Sequence, residues 1–217
     1  QAIAAYRDAI RLRPAYWEAY TARGKIYYFL GELDSALVDF EKALAINPEE
    51  GWAYDARGEV YRQEGEYKLA AADYDKAITI EPQNWSYYYD RGLAYIDWGW
   101  VGEDDSYFDR AVKEFDRAID IEPEFTEAYS SRGFAYFLKG VYASAYSDYA
   151  KAIEINPNSA SAYNYRAMTY FDRGCLESAK AGFGKGEERG IWRGVKRVKR
   201  EESEVRVEAG RSKEEGE

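Results

Sequence analysis

Aromatic and small residues recur along the chain at spacings that place them on one face of an α-helix. Five segments share this pattern, namely YTARGKIY, YDARGEVY, YYDRGLAY, YSSRGFAY and YNYRAMTY. In each, a small residue follows the first aromatic residue by four positions, and a second aromatic residue comes three positions later. Residues three and four apart are neighbours on a helix surface, so each segment predicts an amphipathic helix.

A second helix is predicted after each of the first four segments. Its apolar face is made by an alanine, an aromatic residue and another alanine, as in Ala36, Phe40 and Ala43, and it ends in KALAINP, KAITIEP, RAIDIEP or KAIEINP. Proline disfavours helical backbone in the residue before it, so each proline marks a helix end. The prolines fall 34 residues apart at Pro14, Pro48 and Pro82, and again from Pro123 to Pro157. This period predicts stacked helix pairs.

A glycine lies between the two halves of each pair. These glycines are Gly31, Gly65, Gly99, Gly140 and Gly174. Glycine adopts the left-handed conformation that commonly ends a helix. All five are therefore predicted to end the first helix of their pair.

The repeat resembles the tetratricopeptide repeat. The family pattern is an aromatic residue, Leu-Gly, Tyr, Ala, Phe, Ala and Pro over 34 residues, and the first full repeat here reads Tyr20, Arg23-Gly24, Tyr27, Ala36, Phe40, Ala43 and Pro48. The match recurs five times and extends from residue 2 to about residue 183. The resemblance implies an all-α, right-handed superhelical solenoid of antiparallel helix pairs.

The period also predicts the division of the chain. Residues 1–16 fit the second helix of a truncated repeat, so the chain is expected to begin inside a longer array. Full repeats follow at 17–50, 51–84, 85–125 and 126–159, then a degenerate repeat at 160–190 and a charged tail at 191–217. The pattern is lost after Phe183. A weak capping helix, a disordered tail and an error in the sequence are the alternative explanations.

An arginine replaces the leucine of the family pattern in every repeat. Three of these arginines precede an aspartate by 16 residues, and with the insertion included the third repeat has a glutamate in the same place. The expected pairs are Arg23 with Asp39, Arg57 with Asp73, Arg91 with Glu114 and Arg132 with Asp148. We expect partly buried ion pairs that fix how the two helices dock, the alternative being ordinary solvated charges. Arg166 matches Gly182 and is expected to lack such a partner.

The third repeat is longer than the others. Pro82 and Pro123 are 41 residues apart, which places seven extra residues at 100–106. Seven residues correspond to about two helical turns. They could extend both helices of the pair or form a loop at its tip. Either arrangement presents Trp98, Trp100 and Val101 as a candidate recognition surface, and the alternative is a tolerated insertion whose aromatic residues pack on a neighbouring repeat.

The resemblance implies that the first helices of successive repeats line a concave groove that binds peptides or partner helices. At one end the implied groove positions are largely polar or charged: Glu18, Thr21, Lys25, Tyr28, Trp52, Asp55, Glu59 and Arg62. From the third repeat onward they are mostly apolar, and the predicted partner-binding residues are Tyr89, Leu93, Ile96, Phe134, Phe137, Met168 and Phe171. The alternative for these apolar residues is burial in the core.

Composition narrows the functional classes. The chain has a net charge of -10, which argues against nonspecific binding to nucleic acid or to an anionic membrane. It contains no histidine and one cysteine, and it shows no apolar run long enough to span a bilayer. No metal-ligand, cofactor-binding or phosphate-binding motif is evident, so we expect neither a cofactor nor catalysis. A single cysteine cannot form an internal disulfide, which slightly favours the cytoplasm.

The sequence thus predicts a protein–protein interaction scaffold or adaptor that binds a peptide or partner helix in its concave groove. The alternative is a noncatalytic regulatory or targeting segment of a larger enzyme or envelope-assembly protein. The sequence does not identify the partner, the oligomeric state or the full number of repeats.

Overall fold

A computed structural model of the chain describes residues 1–102 and 104–175. Within these residues the regular secondary structure consists of ten α-helices and no strand. They are α1 (Ala2–Leu12), α2 (Trp17–Phe29), α3 (Leu33–Ile46), α4 (Gly51–Gln63), α5 (Tyr67–Ile80), α6 (Trp85–Gly102), α7 (Ser106–Ile121), α8 (Thr126–Leu138), α9 (Tyr142–Ile155) and α10 (Ala160–Asp172).

The chain divides into two compact units, Gln1–Pro157 and Asn158–Glu217. The first contains α1 to α9, and the described part of the second contains α10. In the first unit α2 packs on α3, α4 on α5, α6 on α7 and α8 on α9. Within this unit α1, α3, α5 and α7 also contact the first helix of the next pair, and α2, α4, α6 and α8 contact one another in order. The first helices therefore lie side by side along one face of this unit.

Apart from α6, the described helices end where the sequence predicts, because the residues at their ends cannot continue them. Asn47 and Asn156, which precede prolines, have extended backbone with φ/ψ of -127°/93° and -129°/97°. Gly31 and Gly65 have φ of 76° and 79°, a left-handed conformation that other residues adopt at a cost. Gly140 and Gly174 do the same after α8 and α10.

The prediction for Gly99 was wrong. This glycine lies inside α6, which continues to Gly102, and it does not have a positive φ. A Cβ built on Gly99 would lie 2.8 Å from Cε1 of Phe108 and 3.1 Å from Cβ of Tyr107. The insertion has moved the end of the helix to Gly102. At position 99 the absence of a side chain instead allows α7 to approach α6 closely.

In α2, α4, α6 and α8 a glycine meets an aromatic ring of the second helix of the pair. Gly92 faces Phe115 and Gly133 faces Tyr149, with the ring 2.6 Å from a built Cβ in both cases. Gly24 and Gly58 face Phe40 and Tyr74 in the same way. These rings are buried, so the contact closes the core of each pair without leaving room for a methyl group.

Replacing Gly92 with alanine should therefore lower the free energy of unfolding by roughly 1–3 kcal/mol, although alanine favours helix formation. Phe115 is fully buried and cannot move aside without displacing its neighbours. Gly102→Ala in the same helix is the matched control, because the nearest atom to its built Cβ is Cδ1 of Trp98 at 3.9 Å. Urea denaturation of both variants measures the difference, and equal stability would contradict the steric account.

Candidate partner-binding groove

The apolar end of the predicted groove lies on α6 and α8 of the first unit. Tyr89, Leu93, Phe134 and Phe137 are all half-buried there. Tyr89, Leu93 and Phe134 rest on a core cluster that includes Phe115. The rings of Phe134 and Phe137 stack with their centroids 6.0 Å apart. The first three side chains are thus anchored in the core, Phe137 is held against the ring of Phe134, and all four still present part of their surface.

Ile96 requires a correction. Its side chain is only 6% exposed and is enclosed by Val112 and Phe115 of α7 and by Ala135 of α8. Three helices meet at this position, so Ile96 belongs to the core and offers no surface to a partner. Thr21, at another implied groove position, is also buried, as is Ser130 on α8, and both hydroxyl groups donate to carbonyl oxygens of their own helices.

Met168 and Phe171 lie on α10 in the second unit. Both are half-buried and pack against Ala167 of the same helix. They remain candidates for partner contact within that unit.

At the charged end of the groove a hydrogen-bonded network joins α2, α4 and α6. Oε1 of Glu59 accepts from the Tyr28 hydroxyl at 2.9 Å and from Nη2 of Arg62 at 2.6 Å. Nη1 of Arg62 donates to Oδ2 of Asp97 on α6 at 2.5 Å. Burial and the Glu59 carboxylate together raise the pKa of Tyr28 to about 12. Arg62 is thus paired with Glu59 of its own helix and with Asp97 of the next repeat.

Two further carboxyl groups lie half-buried beside this network. Asp55 on α4 faces Asp90 on α6, close enough for a protonated carboxyl of one to hydrogen-bond to the other. Burial, followed by the negative charges of Asp90 and Glu59, raises the pKa of Asp55 to about 8. Burial and Glu59 raise the pKa of Asp90 to about 7. The pair therefore retains at least one proton near neutral pH.

Sequence analysis placed Asp55 in the groove and missed its pairing with Asp90. The pairing could have been found from the sequence, because Asp55 and Asp90 are 35 residues apart, which is one repeat of 34 residues plus one position. Arg62 with Asp97 and Gln63 with Tyr28 have the same spacing and are hydrogen-bonded. This offset brings side chains of consecutive first helices together.

The structure places each of the four arginines against the acid expected from the repeat. Arg23, Arg57 and Arg132 donate through Nε and Nη2 to both oxygens of Asp39, Asp73 and Asp148, at distances between 2.6 and 2.8 Å. All three aspartates are buried. Charge-assisted bonds of this bidentate form fix direction as well as distance, so each pair sets the relative position of its two helices.

Arg91 makes a different contact because its partner is a glutamate. Nη2 of Arg91 donates to Oε2 of Glu114 at 2.6 Å, while its Nε is buried without a hydrogen-bond partner among the described residues. Nη1 of Arg91 pairs with Asp75, on the second helix of the preceding repeat. Arg132 likewise donates to Asp116 of the preceding repeat at 2.6 Å. These two arginines connect consecutive repeats.

Sequence analysis missed Asp75 and Asp116 because it compared acids only within a repeat. A signal was present, since each lies two residues after the acid of its own pair, as does Glu41. Arg166 was expected to lack an acidic partner because Gly182 occupies the matching position, but Gly182 lies outside the described residues. Nε of Arg166 is buried without a hydrogen-bond partner among the residues described.

The seven-residue insertion extends both helices of its pair. Helix α6 has 18 residues where α2 has 13, and α7 has 16 where α3 has 14. Trp98 is half-buried, with its ring stacked 4.3 Å from the ring of Tyr107. Trp100 and Val101 are 65% and 68% exposed. Of the three predicted surface residues, two are therefore accessible and Trp98 is mainly a packing residue.

The described residues include no cluster of acids and cysteine suited to a metal ion. Cys175 is free and exposed. Within residues 1–102 and 104–175, no helix combines the length and the apolar character needed to cross a bilayer.

Comparison with known proteins agrees with the helix-pair architecture. Among solved structures, the chain resembles a tetratricopeptide repeat protein from Parabacteroides merdae ATCC 43184, with a TM-score of 0.72 and 24% identity over 84% of this chain and 70% of the other. It also resembles TTC0263, a thermophilic TPR protein of Thermus thermophilus, with a TM-score of 0.69 and 22% identity over 87% and 99%. It is similar as well to YrrB, described as a TPR protein with an unusual peptide-binding site. The TM-score is 0.61 and the identity 24%, over 83% of this chain and 90% of YrrB. No curated protein matches the sequence.

Family models give the assignment. Models described as tetratricopeptide repeat match residues 17–50, 104–160 and 148–181, and one described as TPR repeat matches residues 58–99. Together these matches span most of the described helices, including the extended pair α6 and α7. The chain belongs to the tetratricopeptide repeat family.

Proposed function

We propose that this protein is a noncatalytic interaction scaffold whose first unit binds a peptide or partner helix along α6 and α8. Tetratricopeptide repeats serve protein–protein interaction, and proteins of this fold are typically noncatalytic. The observation that carries the proposal is the set of half-buried apolar side chains Tyr89, Leu93, Phe134 and Phe137 on adjoining first helices. Side chains anchored in a core lose little entropy when a partner covers them.

An apolar strip on two neighbouring helices suits the apolar face of an amphipathic helix or an extended peptide with apolar anchors. The peptide-binding site described for YrrB supports a peptide as the occupant. The exposed Trp100 and Val101 on the extended helix pair are the second candidate surface, because two adjacent large apolar side chains form an accessible patch.

Two double variants distinguish these surfaces. Phe134→Glu with Phe137→Glu places charges on α8, and Trp100→Glu with Val101→Glu makes the same change at the tip of α6. Affinity capture from the lysate of the native organism should lose a partner with the first variant and retain it with the second. Circular dichroism confirms folding, and Leu93→Ser serves as a second groove variant if the first is unstable.

Amide hydrogen exchange of the captured complex then locates the contact. Protection confined to α6 and α8 around the four apolar side chains agrees with the proposal. Protection confined to residues around Trp100 would show that the insertion is the binding surface. A partner that both folded variants retain would place the binding surface elsewhere.

A further inference from the structure

A small pocket opens between α2 and α4, at the charged end of the groove. Its volume is about 170 Å³, enough for one side chain and too small for a folded segment. Trp52, Tyr28 and Phe29 supply aromatic walls, and Asp55 and Glu59 supply carboxyl groups. An aromatic pocket with acids in its lining favours a positively charged group.

The pocket already holds one cation, which belongs to the protein. Nζ of Lys25 lies 4.8 Å from the ring centroid of Trp52 and 6.0 Å from that of Phe29. Among the described residues Lys25 makes no ion pair with a carboxylate. The Trp52 face is thus suited to a cation, and the lysine occupies it without the partner that would hold it in place.

The acids of the pocket are incompletely compensated. Glu59 accepts from Tyr28 and from Arg62, so its charge is balanced within the network. Oδ1 of Asp55 is buried and accepts from no N–H or hydroxyl donor among the described residues, since the group that Asp55 faces is the Asp90 carboxyl. A buried acceptor without a donor is costly, and a donor brought by a ligand would remove that cost.

We propose that this pocket binds an arginine side chain of the partner peptide, stacked on Trp52 in place of Lys25 and donating to Asp55. The inference rests on the proposed function, because the pocket lies in the same row of first helices as the apolar strip on α6 and α8. It adds that the bound peptide carries a basic residue next to its apolar anchors.

Arginine fits the pocket better than the other common groups. Its planar guanidinium stacks on an aromatic ring and presents several donors in one plane, whereas an ammonium is a more strongly hydrated point charge. A carboxylate or phosphate would be repelled by the Glu59 carboxylate, whereas the Asp55–Asp90 pair, which keeps a proton near neutral pH, still offers acceptor oxygens to a guanidinium. The net charge of -10 over the chain also attracts a basic peptide at long range.

The test uses N-acetyl-arginine amide as the probe and N-acetyl-citrulline amide as its uncharged counterpart. Two-dimensional ¹H–¹⁵N NMR on the full chain should show saturable shifts of the Trp52 indole and of neighbouring amides with arginine only. Lys25→Met should tighten arginine binding by about threefold, because it removes the competing cation. Lys42→Met, at an exposed lysine of α3, should leave the affinity unchanged.

Equal shifts with citrulline, shifts away from Trp52, or no tightening in Lys25→Met would overturn the proposal. Its failure can be separated from that of the proposed function. If a captured partner still depends on Phe134 and Phe137 while arginine does not bind, only the pocket assignment is wrong. If arginine binds at Trp52 and the partner does not depend on Phe134 and Phe137, the pocket stands and the apolar strip is not the binding surface.

Discussion

Replacing Arg57 with methionine is expected to lower the free energy of unfolding by about 3 kcal/mol, the loss typical of breaking a buried ion pair from one side. Nε and Nη2 of Arg57 donate to the two oxygens of Asp73 at 2.7 and 2.8 Å. The Asp73 side chain is only 9% exposed. Methionine fills much of the same volume but leaves this carboxylate in the protein interior without a counterion.

The matched control is Arg117→Met on α7. Arg117 is paired with Asp120 on the surface of a single helix, where its side chain is 54% exposed. An exposed pair contributes at most about 1 kcal/mol, so this variant should remain close to the wild type. Urea denaturation followed by circular dichroism measures both variants.

A double-mutant cycle separates the pair from the other effects of each substitution. Asp73→Leu alone leaves Arg57 without its partner, and the double variant Arg57→Met with Asp73→Leu removes both charges. We expect the double variant to recover much of the stability lost in Arg57→Met, because two apolar side chains then pack in place of one unpaired carboxylate. Coupling below about 0.5 kcal/mol would show that the two residues do not act as a docking pair.

The arginine–carboxylate pairs show how far a repeat can serve as its own alignment. An arginine and an acid that keep their places in every full repeat imply a contact between the two helices, and the structure has Arg57 and Asp73 in that contact. The same comparison could not show that Arg91 and Arg132 also reach Asp75 and Asp116. Those contacts depend on how one repeat stacks on the next, and a comparison confined to single repeats carries no information on stacking.

The groove was harder to predict than the helix pairs. The spacing of aromatic and small residues predicts which face of a helix is buried. It does not predict how much of a side chain at the edge of that face stays exposed to solvent. Leu93 and Ile96 are one turn apart on α6, yet Leu93 keeps some exposure while Ile96 is closed in by α7 and α8. The difference arises from the meeting of three helices, which no pattern within α6 records.

The insertion illustrates a limit of a different kind. Its length could be counted from the prolines, but seven residues suit either two longer helices or a loop. The deciding feature is Gly99, which permits Phe108 and Tyr107 to pack against α6 and so allows the pair to continue past its usual end. The glycines at this position in the other repeats end their helices, with positive φ. Whether such a glycine ends a helix or allows close packing therefore depends on the residues that face it.

Asp55→Asn is expected to stabilise the protein by about 2 kcal/mol or more at pH values above about 8, and to change its stability little below about pH 4. In the folded protein, burial and the charges of Asp90 and Glu59 raise the pKa of Asp55 from 3.8 to about 8. The unfolded chain releases this proton near its ordinary pKa, so the folded state binds more protons between those two values. Its free energy of unfolding therefore falls as the pH rises through this window.

The slope of stability against pH provides a sharper test than one value. Asp90, whose pKa is raised to about 7 mainly by burial and Glu59, titrates in the same window as Asp55. In the wild type, the free energy of unfolding should fall between about pH 5 and 7 with the slope expected when the folded state binds about two more protons than the unfolded state, and Asp55→Asn should reduce this difference to about one proton. Asparagine can also donate to the Asp90 carboxylate, which removes the repulsion between the pair. Asp105→Asn, at an exposed position, should keep the wild-type slope, and an unchanged slope in Asp55→Asn would mean that Asp55 is ionised in the folded protein.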